Sequence, residues 1–181
     1  MAKVHDSITA EFRDWISKQH VFFVASAPLS ADGHVNVSPK GHNCLRVLDA
    51  STVAYLDLTG SGAETAAHIA ENGRVTFMWC AFEGPPRILR LYGRGETVLP
   101  GSSRWEELSP HFEMLPGARQ IVVNHVERVQ TSCGFTVPFL DFREERPTLL
   151  RWAEKKGEDG LQEYRAEKNR RSIDGLATPL S

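Results

Sequence analysis

The residues best placed to do chemistry lie in the stretch Leu58-Thr-Gly-Ser-Gly-Ala-Glu-Thr65, where a phosphate could be held. An apolar, strand-like run ends at Leu58, Gly60 and Gly62 let the backbone turn tightly, and helix formers follow from Ala63. Such a turn presents free backbone N–H groups and the positive end of a helix dipole to an anion. Ser61 and Thr65 add hydroxyl donors to this stretch, which opens at Thr59. Gly60-x-Gly62 also matches the opening of a dinucleotide fingerprint, with Glu83 about 20 residues on, where a ribose-binding acid is expected. Against that reading, Thr65 replaces the third glycine and a hairpin signal at Gly84-Pro85-Pro86 replaces the next βα unit. A glycine-rich connection without a ligand is the plain alternative.

The segment Val35-Asn-Val-Ser-Pro-Lys-Gly41 offers a cation. Pro39 halts strand pairing and Gly41 permits an unusual backbone angle, which holds Lys40 at a strand terminus where a phosphate can meet it. A solvated lysine in a turn would explain the same residues. In Arg87 to Gly95, Ile88, Arg90 and Tyr92 share one strand face while Leu89 and Leu91 share the other. An arginine among apolar neighbours in mid-strand calls for an anionic or carbonyl partner. An intramolecular salt bridge on an exposed face is the alternative.

Several elements must position these residues. Ile8, Phe12, Trp15 and Ile16 fall on one helical face, so a helix is expected over 6–18, capped by Asp6 or Ser7. Strand signals follow at Val21 to Ala27, His34 to Ser38, Leu45 to Asp49, Thr52 to Leu58, Arg74 to Cys80, Arg87 to Leu99 and Arg119 to Cys133. Asp32-Gly33 marks a hairpin turn, Asn72-Gly73 a left-handed helix end, and Gly93 and Gly95 a bulge or barrel corner. Ser102 or Ser103 caps a short helix. After Pro138 helical signals take over, with Pro147 opening one helix, Gly157 closing it and a capping box at Asp159 opening another.

Six or seven strands with few interrupting helices predict a mainly β fold, a closed antiparallel barrel that leaves no exposed edges. The expected organisation is a barrel domain over 1–138 and a helical extension over 139–181 packing on it. Phe22, Phe23, Phe77, Met78 and Trp79 exceed what a narrow barrel can face inward, which predicts an interface. The tail is expected to dock through Ile173 and Leu176 and bring Lys168, Arg170 and Arg171 to the site as a lid.

Composition narrows the partners. With 21 basic and 23 acidic residues and a formal charge of −2, no basic stretch follows a nucleic-acid backbone. No apolar run is long enough to cross a bilayer, and the N-terminal residues lack an apolar signal core. The three cysteines show no Cys-x-x-Cys and the seven histidines no His-x-x-x-His, which gives a metal site no local support. A reducing, cytoplasmic location is the expectation.

Taken in order, Ser-Pro-Lys-Gly41, Thr59-Gly-Ser-Gly-Ala-Glu-Thr65 and Arg87-Ile-Leu-Arg-Leu-Tyr-Gly93 resemble the pyridoxamine 5′-phosphate oxidase-related, FMN-binding split-barrel family from about Gln19 to Cys133. The resemblance implies a Greek-key-like split barrel of six to seven strands, FMN as cofactor, and a homodimer whose second subunit completes the flavin site. By position it assigns the phosphate to Lys40, Ser61, Gly62 and Thr65. It lays Asn36, Val37, Ser38 and Pro39 along the ring and brings Arg90 to the ring's polar edge. The family's helix start commonly carries a basic pair; Glu64-Thr65 stands there instead, which suits Glu64 to a ribityl hydroxyl. The C-terminal part, with Trp152, Lys168, Arg170 and Arg171, matches less well, so no pyridoxamine phosphate substrate is assigned. The implied activity is an FMN-dependent oxidoreductase acting on a small molecule by hydride transfer at flavin N5. No residue stands out as an obligatory acid or base. The rival readings are a reductase using the deazaflavin F420 on the same fold, and a non-catalytic flavin or haem binder with His125 or His34 as axial ligand.

Overall fold

The structure, a computed structural model, describes residues 2–180. Eight strands form one antiparallel sheet: β1 (Lys3–His5), β2 (Phe22–Ser26), β3 (Asn36–Lys40), β4 (Leu45–Val47), β5 (Thr52–Leu58), β6 (Arg74–Cys80), β7 (Ile88–Val98) and β8 (Ala118–Ser132). The sheet runs in the order β3-β2-β6-β7-β8-β5-β4, with β1 beside the far end of β8. Four helices accompany it: α1 (Ala10–Ile16), α2 (Glu64–Asn72), α3 (Ser103–Leu108) and α4 (Thr148–Lys168).

Alternation decides which side of each strand is buried. In β2, Phe22, Val24 and Ser26 point inward, and in β6, Val75, Phe77 and Trp79 do so. These join Tyr55 of β5 in an aromatic cluster, with the Tyr55 and Phe77 rings 5.5 Å apart, edge to face. Of the five large apolar residues of which some were expected at an interface, Phe22, Phe77 and Trp79 fill the chain's own core. Phe23 and Met78 pair across β2 and β6 on the outer face and stay partly exposed.

The barrel is split, not closed. β3 and β4 end the sheet path and are not laddered to each other, so the expected elimination of edges is not achieved. Helix α1 is shorter than the 6–18 expected, because Thr9, and not Asp6 or Ser7, accepts the capping bond from Phe12 N–H. Upstream, the Ile8 N–H is drawn off to Ala50 O at 2.8 Å. Gly157, with non-helical φ 67 and ψ 171, closes the first part of α4, and a second helix follows it across a kink, as the sequence signals there indicate. No helix among the described residues is long and apolar enough to cross a membrane.

Two bulges shape β8. One register shift falls at Tyr92/Gly93 opposite Arg128 and Val126, where the backbone of β8 closes on Gly93. A Cβ there would sit well inside van der Waals contact of His125 O and Asn124 Oδ1. Gly93→Ala should therefore cost about 1–3 kcal/mol, read as a lower urea midpoint. Gly160→Ala in α4, with only ordinary contacts at 3.7 Å and beyond, should leave the midpoint equal or higher. Equal midpoints for Gly93→Ala and wild type would show that the bulge can relax.

Candidate functional site

The second bulge builds the site. Asp57 pairs with Gln120 and Leu58 with Ala118, so Arg119 is the extra residue on β8. On a regular strand Arg119 and Gln120 would point to opposite faces. The bulge brings both to one carboxylate: Arg119 Nε donates to Asp57 Oδ2 at 2.8 Å and Gln120 Nε2 to the same oxygen at 2.7 Å. The other oxygen, Oδ1, accepts from Lys40 Nζ at 2.7 Å. The Asp57 side chain is 2% exposed, Arg119 6% and Lys40 22%. Burial opposes ionisation of Asp57, but the Lys40 and Arg119 charges outweigh it and hold the carboxyl well below the usual range. Two cations and one anion leave this cluster a formal +1.

A cavity of about 310 Å³ opens beside it, between the end of β3 and the start of α2. Ser38, Pro39, Lys40, Gly62, Glu64 and Thr65 line it, which brings together six of the residues singled out from sequence. Helix α2 starts at Ala63 with no side-chain cap, so its first-turn N–H groups are available at the cavity wall. These donors, a lysine at the strand end and a positive cluster behind them fit a phosphate monoester.

The remaining sequence candidates sit elsewhere. Asn36 stands just behind the wall, where its Nδ2 donates to Thr65 Oγ1 at 3.0 Å and its Oδ1 accepts from Ser38 Oγ at 3.0 Å. Val37 alternates to the outer face and is 58% exposed. Thr59 is buried behind the turn, donating to Gly117 O and accepting from Arg165 Nε at 2.9 Å. Ser61 is exposed, and its carbonyl accepts a long bond from Asn169 Nδ2. Arg90 does not line this cavity: it pairs with Gln130, ten residues along β8 from the Gln120 that does, roughly 30 Å of strand at about 3.3 Å per residue. It donates instead to Ser132 Oγ at 3.0 Å.

Asp57, Arg119, Gln120 and Asn169 were not singled out from sequence. An acid inside the apolar run Val53 to Leu58 was the available signal, since a buried carboxylate requires partners. Arg119 also ties down the turn: its Nη2 donates to Gly62 O at 2.9 Å and its Nη1 to Asn169 Oδ1 at 2.9 Å. Asn169 in turn donates to Gly60 O at 2.9 Å. The tail docks here, though not through Ile173, which is 70% exposed, but through Asn169, Ser172, Thr178 and Leu180. Cys44 lines the cavity, yet burial pushes its thiol up to about 12 against the opposing Lys40 charge, so it stays protonated at neutral pH. His34 and His125 are engaged by Asp174 and Glu96 in exposed pairs.

A curled antiparallel sheet split between β3 and β4, with the cavity at the split, defines the split-barrel class of FMN-binding folds. The profile of the family described as pyridoxamine 5′-phosphate oxidase matches residues 8–133, and the chain belongs to that family. The pyridoxamine 5′-phosphate oxidase family protein ustO of Aspergillus flavus is 40% identical over 191 aligned positions, spanning 95% of this chain and 76% of that protein. In fold the chain is similar to HupZ of Group A Streptococcus, with TM-score 0.52 and 25% identity over 67% of this chain and 91% of the other. A Lactobacillus delbrueckii structure gives TM-score 0.52 at 22% identity, covering 69% and 94%.

Removing the carboxylate tests the cluster. Asp57→Asn should cost about 3–5 kcal/mol at pH 7, because buried Arg119 and half-buried Lys40 lose their counter-charge. Asp57 titrates lower folded than unfolded, so its contribution is complete above about pH 5 and is lost as the pH falls through the depressed value. Urea unfolding from pH 7 to pH 2 should show wild type losing more stability than the variant below about pH 4. Parallel curves would mean that Asp57 contributes no ionised stabilisation.

Proposed function

We propose that the chain is an FMN-dependent oxidoreductase that acts on a small molecule as a homodimer. The observation that carries this reading is the meeting of Lys40, the Arg119 cluster and the uncapped start of α2 at one cavity. One such cradle suits a single phosphate, and no second glycine-rich loop offers room for a dinucleotide. Bound flavin supplies the hydride acceptor or donor at N5, and the chain's own residues bind and orient it.

In this reading Lys40 and the first N–H groups of α2 hold the phosphate. Asn36 fixes the hydroxyls of Thr65 and Ser38 toward the ligand, and Glu64 accepts from a ribityl hydroxyl. Pro39 and its strand run along the ring. Arg90, far along the sheet from its own chain's cavity, reaches a flavin edge only across the subunit interface, and there stabilises charge that develops on reduction. Outward-facing Phe23 and Met78 suit that interface.

The purified protein should be yellow, release FMN on denaturation and scatter light as a dimer of about twice its 20.2 kDa mass. A colourless protein that gains no tight flavin spectrum on FMN addition would sink the reading, and release of FAD or F420 would correct the cofactor. Lys40→Ala should weaken FMN by about 10- to 150-fold, the value of one charge-assisted hydrogen bond. Thr65→Ala, which removes a neutral hydroxyl, should weaken it less. Wild-type affinity in Lys40→Ala would leave that lysine to Asp57 alone.

A further inference from the structure

A second cavity, of about 270 Å³, lies between α1 and the 41–47 segment. Its floor is apolar and built from core residues: Ile16, Phe22 and Trp79 are 3%, 4% and 1% exposed. Its rim carries Arg13, Arg46, His20 and His42, and no carboxylate lines it among the described residues. Arg46 is anchored by backbone oxygens, with Nε donating to His111 O at 2.7 Å and Nη1 to Leu45 O at 2.7 Å. Its Nη2 has no acceptor among the described residues. Arg13 likewise uses Nη1 on Val47 O at 2.9 Å. Both guanidiniums are thus held in place by groups that leave their charge uncancelled. Glu145, nearby, is engaged with His42, accepting from its backbone N–H at 3.2 Å and lying 3.6 Å from Nδ1.

His42 also lines the first cavity and is the one non-glycine residue with positive φ, at 60°, among those described. A non-glycine residue in this conformation is uncommon, and its cost is tolerated where the surroundings dictate it. Here Glu145 bonds its backbone from the following segment, and Phe142 of that segment stacks on His20 at 3.6 Å. The strained residue stands as the wall between the two cavities.

We propose that this second cavity binds a small, single-ring carboxylate. The volume admits one ring, the Phe22 and Trp79 floor takes its apolar body, and the Arg46 and Arg13 rim takes its charge. This binding does not depend on the flavin reading.

Benzoate and the neutral benzamide, titrated calorimetrically into the full-length protein, test this. Benzoate should bind about tenfold or more tightly than benzamide, the least expected of a charge-assisted contact. Arg46→Gln should bring benzoate to the benzamide level with flavin content unchanged. Arg13→Gln should weaken benzoate as a second variant if Arg46→Gln does not fold. In the wild type, benzoate should also perturb the visible flavin band. Equal affinities for the two probes, or a benzoate preference untouched by both variants, would overturn the proposal even in a yellow protein. A colourless protein that still prefers benzoate and loses the preference in Arg46→Gln upholds the cavity and refutes only the flavin.

Discussion

The ion pair between Lys40 and Asp57 is the constraint on which the rest of this structure turns. β3 and β5 lie near opposite ends of the sheet path, and no ladder of backbone bonds joins the two ends. The 2.7 Å contact from Lys40 Nζ to Asp57 Oδ1 spans that gap. It acts as a clasp on a barrel that the backbone leaves open. Burying a carboxylate costs several kcal/mol unless every lone pair is matched. Here three donors from two strands match it, so the carboxylate ties curvature of the sheet to the geometry of β8.

That arrangement also explains why the cavity lies where it does. A closed barrel would fill the seam between β3 and β4 with paired backbone and side chains. The split leaves a polar gap walled by a strand end on one side and a helix start on the other. Lys40 is then shared between Asp57 and any anion that enters. Arg119 keeps Asp57 neutralised when the lysine turns toward such a ligand, so binding need not strand a buried charge.

Local chemistry made most of the fold legible in the sequence. Alternation gave β3, with Val35 and Val37 outward and Asn36 and Ser38 on the site side, and the paired glycines located the bulge at Gly93. The turn signal Asn72-Gly73 matches the left-handed φ of 72 at Gly73. What escaped depends on contacts distant in sequence. The start of α1 was misplaced because Ile8 N–H bonds to Ala50 O, 42 residues on. The strand pattern alone predicted closure, since edge pairing leaves no mark on a strand's own residues, and the split came only from the family resemblance. Arg119 was invisible as a site residue because only the bulge aims it, and a bulge of one residue in an apolar strand carries no signal of its own.

The C-terminal segment shows how such distant contacts serve the site. A turn with Gly60 and Gly62 is entropically costly to hold in one shape, since glycine loses more freedom on folding than other residues. Left to itself, it would present the α2 N–H groups only part of the time. The carbonyls of Gly60 and Gly62 are taken by Asn169 Nδ2 and Arg119 Nη2, and Thr59 accepts from Arg165 Nε. Glu64 accepts from the Ile173 N–H at 3.3 Å, which draws its carboxylate toward the tail. Each of these bonds spends a donor from β8, α4 or the tail on a carbonyl, hydroxyl or carboxylate of the turn; of the turn's own N–H groups, that of Thr59 is taken by Gly117 O at 2.7 Å and none of these bonds uses the rest. The tail is thereby a brace for the anion cradle more than a cover over it, and pre-organisation of this kind lowers the ordering cost that a ligand would otherwise meet on binding.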